Sequence, residues 1–252
     1  MMKVLAVANQ KGGVAKTTTV HSLGVALAEM GRKVLLVDLD PQACLTYSLG
    51  INPDTLESSL HDVLVGRVKI QDVTEETGKF WTVPANIDLA GSEVHLLSKT
   101  GREHTLSHAL ADIRLNYDVA LIDCPPSLGV LTINGLTAAN EVIIPLTCEA
   151  LSYRGMSQLL ETIEDVKAFT NPRLKIRGAI VTMYDDRTRH AKEVLDEVRR
   201  RHGVGLLEPP VRKSIRFAEA PTLGKSILEH APSSKGAKAY RQLAVTLNKD
   251  LR

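Results

Sequence analysis

The chain has 252 residues, 44% of them hydrophobic, and a formal net charge of +2. That length supports one substantial α/β core, and the near-neutral balance excludes a surface that is basic all round. Aromatics make up only 4%, so the core must be Val, Leu, Ile and Ala, which suits a parallel sheet covered on both faces. Cys44, Cys124 and Cys148 form no CxxC pair and no metal-like spacing. Their odd number, with no cationic leader, points to a reducing cytoplasm. No apolar run approaches the roughly 18 residues of a membrane span.

In chain order, Lys3–Ala8 reads as a first strand. Lys16–Met30 reads as a helix with Val20, Leu23 and Leu27 on one side and Gly31 as its C-cap. Val34–Asp38 is a second strand. The stretch 53–85 is polar and irregular, with short helical pieces around 56–65, and Ile87–Ala90 reads as a short strand. Leu106–Leu115 is helical, and Val119–Asp123 and Val142–Leu146 are strands. Arg154–Phe169 is a helix stopped by Asn171-Pro172. Leu174–Thr182 is strand-like, His190–His202 a charged helix, Pro209–Val211 a short extended piece and Gly236–Lys249 a closing helix. This alternation predicts a single-domain, doubly wound, mostly parallel sheet over 1–252, flanked by helices. Ligands of such sheets sit beyond the carboxyl ends of the strands.

The segment Lys11-Gly12-Gly13-Val14-Ala15-Lys16-Thr17-Thr18 lies where the first strand hands over to a helix. Two glycines let backbone N–H groups turn inward around phosphate oxygens, and the helix offers its positive end to the same anion. Lys16 is placed to reach the β and γ phosphates, and the Thr17 hydroxyl to ligate Mg²⁺. The strict G-x-x-x-x-G-K-[ST] pattern fails, because Gln10 and Ala15 stand where its glycines belong. A second lysine, Lys11, precedes Lys16 by five residues.

Acidic residues close two strands. The run Leu36-Val37-Asp38-Leu39-Asp40-Pro41-Gln42 ends the second, and Ala120-Leu121-Ile122-Asp123-Cys124-Pro125-Pro126-Ser127 carries a strand into a rigid turn. Buried aspartates there need a metal, a proton or a donor. Asp123 suits Mg²⁺ held for phosphoryl transfer, where the metal offsets charge on the phosphate oxygens. A turn or helix cap is the plainer reading of either segment taken alone.

Together these segments resemble the deviant Walker A family of ParA and MinD ATPases, whose loop reads K-G-G-x-G-K-[ST]. The resemblance implies ATP as substrate, ADP as product, Mg²⁺, and a homodimer closed around the nucleotide, with Lys11 touching the phosphates held by the other subunit. It implies that Asp40 orients the attacking water, that Asp38 supports the Mg²⁺ shell beside Thr17 and Asp123, and that Met183, Pro210 and Val211 border adenine. Lys11, Lys16 and Asp40 are then the catalytic set, and Ala15 is the departure from the common loop.

Further along, Gly155-Met156-Ser157-Gln158-Leu159-Leu160 also resembles the family, and the block Arg216-Phe217-Ala218-Glu219-Ala220-Pro221-Thr222-Leu223-Gly224-Lys225-Ser226-Ile227 resembles its Soj-like partitioning branch more than MinD. That branch implies non-specific binding to double-stranded DNA by the ATP dimer, with Arg187, Arg189, Arg216 and Lys225 as contacts and Lys192 nearby. It also implies a ParB-like partner that stimulates slow hydrolysis, a cytoplasmic, nucleoid-associated location, and chromosome or plasmid cargo. Phosphate contacts of this kind are sequence-independent and salt-sensitive, whereas ordinary solvated arginines are the plain alternative. Two rivals share the loop. A membrane-cycling ATPase like MinD needs a terminal amphipathic helix, and Tyr240–Arg252 has no Phe or Trp. A redox or ligase enzyme needs ligands that Cys124 and Cys148 do not obviously supply.

Overall fold

A computed structural model describes residues 2–148, 152–185 and 203–251 of the chain. Eight strands form one sheet: β1 (Lys3–Val7), β2 (Val34–Asp38), β3 (Glu75–Thr77), β4 (Phe80–Val83), β5 (Val119–Asp123), β6 (Glu141–Thr147), β7 (Lys175–Thr182) and β8 (Leu206–Leu207). Their order is β3-β4-β2-β5-β1-β6-β7-β8. All pairs are parallel except β3 with β4.

The described helices are α1 (Lys16–Glu29), α2 (Cys44–Ser48), α3 (Leu60–Val65), α4 (Leu89–Leu97), α5 (Thr105–Ala111), α6 (Val130–Ala138), α7 (Ser152–Phe169), α8 (Arg216–Glu219), α9 (Ile227–His230) and α10 (Lys235–Asn248). Successive strand residues point to opposite faces, and the apolar side chains sort accordingly. Leu35, Val37, Ala120 and Ile122 share one core with Leu64, Leu96, Leu110, Leu136 and Ile163. Val34, Leu36, Val119 and Leu121 share the other with Leu23, Leu27, Tyr240, Leu243 and Leu247. The sheet is therefore doubly wound, as the alternation of elements predicts. Covering each face removes whole Leu and Ile side chains from water, about 2 kcal/mol apiece.

One glycine sets how close α1 lies. A Cβ on Gly24 would come within 2.7 Å of Leu36 Cδ2, so α1 lies against β2 closely enough that an added methyl would push the Leu36 side chain aside. The closing helix α10 turns Ala237, Tyr240, Leu243, Ala244 and Leu247 into the core, which leaves no broad apolar face for a membrane. No helix among the described residues is long and apolar enough to cross one.

The structure departs from the sequence reading at several elements. Ile87 and Asp88 form a turn and Leu89 and Ala90 begin α4, while the buried strand of that region is β4, inside the stretch read as irregular. Its Phe80, Thr82 and Val83 are buried, so burial on a sheet overrides the polar surroundings. The antiparallel edge strand β3 was also missed. So were α2 and α6; α6 holds β-branched Thr, Ile and Val residues of modest helix propensity, with Leu131, Asn134 and Leu136 fully buried. The expected helix His190–His202 lies outside the described residues.

Candidate functional site

Register assembles the site. Val7 pairs with Asp123, and Asp123 pairs with Asp38. The last residues of β1, β5 and β2 therefore stand abreast at one edge of the sheet, at the carboxyl ends of its three central strands.

The loop Lys11–Thr18 arches over that edge. Gly13 has φ 72° and Ala15 φ 65° and ψ 37°, both left-handed. An alanine there carries about 1 kcal/mol of strain that glycine does not. Ala15 also sits at the N-cap position of α1 with no side-chain cap bond, so the first N–H groups of α1 face outward as an anion site. Two tethers hold the arch. Asn9 Nδ2 donates to the Pro145 carbonyl at 2.6 Å, and the Lys11 N–H donates to Asn9 Oδ1 at 3.0 Å. At the other side, Thr182 Oγ1 lies 3.0 Å from the Val14 carbonyl and 3.1 Å from that of Leu146. Neither Asn9 nor Thr182 was singled out from sequence, because each acts through strands distant along the chain.

Lys16 is buried, and its Nζ donates to the Lys11 carbonyl at 3.3 Å. Burial lowers its pKa, opposed by the neighbouring Asp123 and Asp40 carboxylates. Thr17 Oγ1 donates to Asp123 Oδ2 at 2.6 Å. The other oxygen, Asp123 Oδ1, is buried with no hydrogen-bond partner among the described residues. Burial and the neighbouring Asp38 raise the Asp123 pKa well above the carboxylate range. A buried, unpartnered carboxylate oxygen beside a threonine hydroxyl fits a hard cation with oxygen ligands.

Asp38 has a different immediate task. Its Oδ2 accepts from the Thr46 N–H at 2.8 Å and the Thr46 hydroxyl at 2.7 Å, and its Oδ1 accepts from the Asp40 N–H at 3.2 Å. Both oxygens are thus engaged by protein donors. Burial pushes its pKa up to about 6, against the pull of those hydrogen bonds. Asp40 follows, also buried, with Oδ1 accepting from the Gln42 N–H at 3.0 Å.

Two adjoining cavities flank the loop. One of about 610 Å³ is lined by Gly12, Lys16, Thr17, Asp40, Gln42 and Lys225, among others. It brings Lys16, Thr17 and Asp40, the residues expected at the phosphates, to one space. The other, about 620 Å³, is lined by Gly13, Thr18, Met183, Val211, Phe217 and Tyr240, among others. It contains two of the three residues expected beside adenine; Pro210 is not part of its lining.

Arg216 and Lys225 are exposed on the strip that closes the first cavity. Arg216 Nη1 donates to Glu219 Oε2 at 2.9 Å, and His230 Nε2 lies 3.0 Å from the same oxygen. Solvent screens this exposed pair, so it holds Arg216 only weakly. Arg187, Arg189 and Lys192 lie outside the described residues.

Comparison with known proteins gives a consistent assignment. Residues 2–176 match the family model described as an AAA domain. The chain is 43% identical over 246 residues to the sporulation initiation inhibitor protein Soj of Bacillus subtilis, covering 97% of each. It is 43% identical to the chromosome partitioning protein ParA of Caulobacter vibrioides, covering 96% of this chain and 92% of that protein. Among solved structures, cobyrinic acid a,c-diamide synthase from Mycobacterium smegmatis with bound ADP and magnesium superposes with a TM-score of 0.90. It is 52% identical, covering 100% of this chain and 97% of that one. Fold, loop and relatives together place the chain in the ParA/Soj family of P-loop ATPases with a deviant Walker A loop.

Proposed function

We propose that this chain is a partitioning ATPase switched by its nucleotide. Mg²⁺-ATP brings two copies together, the dimer binds double-stranded DNA without sequence preference, and slow hydrolysis, stimulated by a ParB-like partner, releases it. The observation that carries the reading is the shared cavity of Lys16, Thr17, Asp40 and Lys225, in a chain aligned with Soj over 97% of both lengths.

The loop N–H groups and Lys16 bind the β and γ phosphates of ATP. Thr17 and Asp123 would hold Mg²⁺, which when bound offsets charge on the phosphate oxygens. Asp38 supports that shell by fixing the backbone that carries Asp40, and Asp40 orients the attacking water. Lys11 reaches the phosphates held by the partner copy. Met183, Pro210 and Val211 border adenine. Arg216 and Lys225, with Arg187 and Arg189, meet the DNA backbone, and pairing two copies doubles that surface. The site of action is the nucleoid.

The synthase neighbour favours a second reading, ATP-driven amide formation. Glutamine-dependent enzymes of that class release ammonia with a thiolate. Here burial pushes Cys124 up strongly and Cys148 to about 11, and partial burial beside Asp40 raises Cys44. None of the three is an activated nucleophile. A duplex-retention assay with ADP, ATP and a slowly hydrolysed analogue separates the readings. Retention only with the ATP forms, reduced in Arg216→Glu, supports partitioning; glutamine consumption coupled to ATP, without retention, supports the synthase.

A further inference from the structure

The helix α2 is tied at three points to elements that differ in role. Its Thr46 holds Asp38 through two hydrogen bonds, and the Thr46 hydroxyl also accepts from the Ala85 N–H at 2.9 Å. Its Ser48 Oγ lies 3.2 Å from His21 Nδ1 on α1, the helix that presents the phosphate loop. Just beyond its end, Gly50 meets Gly224 backbone to backbone. A Cβ on Gly224 would lie 3.0 Å from Gly50 Cα and 3.2 Å from Gly50 N. Gly224 immediately precedes Lys225 and follows the turn Pro221–Leu223, which joins α8 to Lys225 within the 216–226 strip. Both glycines are left-handed, with φ 82° at Gly50 and 61° at Gly224.

We propose that α2 transmits nucleotide state to the 216–226 strip, with the Gly50–Gly224 contact as the coupling joint. The inference rests on the partitioning reading only for its consequence at DNA; the mechanical link stands on the contacts themselves. Asp40 borders the first cavity and its N–H is held by Asp38, so a rearrangement there passes through Asp38 to Thr46. A five-residue helix pinned by buried hydrogen bonds moves as a unit. At its far end no side chains intervene to absorb the motion, because the two backbones touch. Lys225 and Arg216 are then repositioned within the same subunit, in addition to whatever dimerisation adds. A ligand shifts such an element only through differential contacts with its two positions, and the γ-phosphate is the group that differs between ATP and ADP.

Two glycine substitutions isolate the joint. Gly224→Ala drives a methyl into Gly50, whereas Gly50→Ala carries comparable left-handed strain but places its Cβ 3.6 Å from Gly224 Cα, an ordinary contact. Hydrogen exchange of residues 216–226 is measured on the full chain with Mg²⁺-ATP and with Mg²⁺-ADP. Wild type and Gly50→Ala are expected to exchange differently in the two states, and Gly224→Ala identically. The ATP-over-ADP preference for duplex DNA should fall several-fold in Gly224→Ala alone, to the part that dimerisation supplies. Should Gly224→Ala not fold, Thr46→Val against Thr46→Ser makes the same comparison at the other end of α2, with loss of the difference expected in Val only. Equal exchange in both nucleotide states of wild type, or a difference that survives both Gly224→Ala and Thr46→Val, overturns the proposal. If exchange responds as expected but DNA is never bound, the coupling stands and the partitioning reading falls. If DNA binding stays equally nucleotide-dependent in Gly224→Ala, the reading stands and the coupling falls.

Discussion

Asn9→Ala tests whether the phosphate loop is held open by the sheet before nucleotide arrives. The substitution removes the donor to the Pro145 carbonyl at 2.6 Å and the acceptor of the Lys11 N–H at 3.0 Å. Asn9 is buried, so water does not readily replace it. Two hydrogen bonds at about 1 kcal/mol net each give about 2 kcal/mol, a fall in Tm of roughly 4 to 8 °C for a chain of this size. If that energy preorganises the loop, nucleotide affinity drops by roughly 30-fold. Thr182→Val removes the second tether without changing side-chain volume, and should cost about half as much. Titration calorimetry with ADP and Mg²⁺, beside thermal melts, reads both quantities. A lowered Tm with unchanged Kd would show that the tethers stabilise the fold only and refute the preorganisation argument.

Three further outcomes follow from the same geometry. Ala15→Gly relieves about 1 kcal/mol of left-handed strain but adds a similar unfolded-state entropy, so melts should match wild type, while Ala15→Val should lose about 2 kcal/mol; a strongly destabilised glycine variant would contradict the backbone assignment. Burial lowers the His21 pKa to about 4 from 6.5, a depressed value whose stabilisation is present above pH 6.5 and lost as pH falls toward 4. The loss reaches at most about 3 kcal/mol. Asp38, raised to about 6, works oppositely, losing its contribution as pH rises through 6. The readout is therefore the difference in Tm between wild type and His21→Gln, which should narrow on acidification; a constant difference refutes the reasoning. Asp123→Asn should cut Mg²⁺-dependent ATP hydrolysis on the order of 100-fold while sparing metal-free ADP binding, and retained Mg²⁺ dependence would exclude Asp123 as the metal-holding carboxylate.

The legible part of the site was local. Two glycines, Lys16 and Thr17 at a strand-to-helix junction specify a phosphate loop within eight residues, and Asp38 and Asp123 announce themselves by ending apolar strands. What local pattern does not carry is what long-range pairing creates. Asn9 and Thr182 look like ordinary polar residues until β6 and β7 are laid beside β1. Asp38 reads as a metal-shell residue, yet Thr46, eight positions on, takes one of its oxygens. In the fold, β4 was hidden by its polar neighbourhood and α6 by its β-branched residues. Each is decided by burial against the sheet rather than by intrinsic preference.

Sedimentation of the Asp40→Ala variant with Mg²⁺-ATP, with and without duplex DNA, tests the central claim most directly. A nucleotide-switched dimer predicts twice the monomer mass with ATP, monomer with ADP, and co-sedimentation with DNA only in the ATP state, weakening as salt rises. A variant that binds ATP tightly yet remains monomeric and ignores DNA would contradict it.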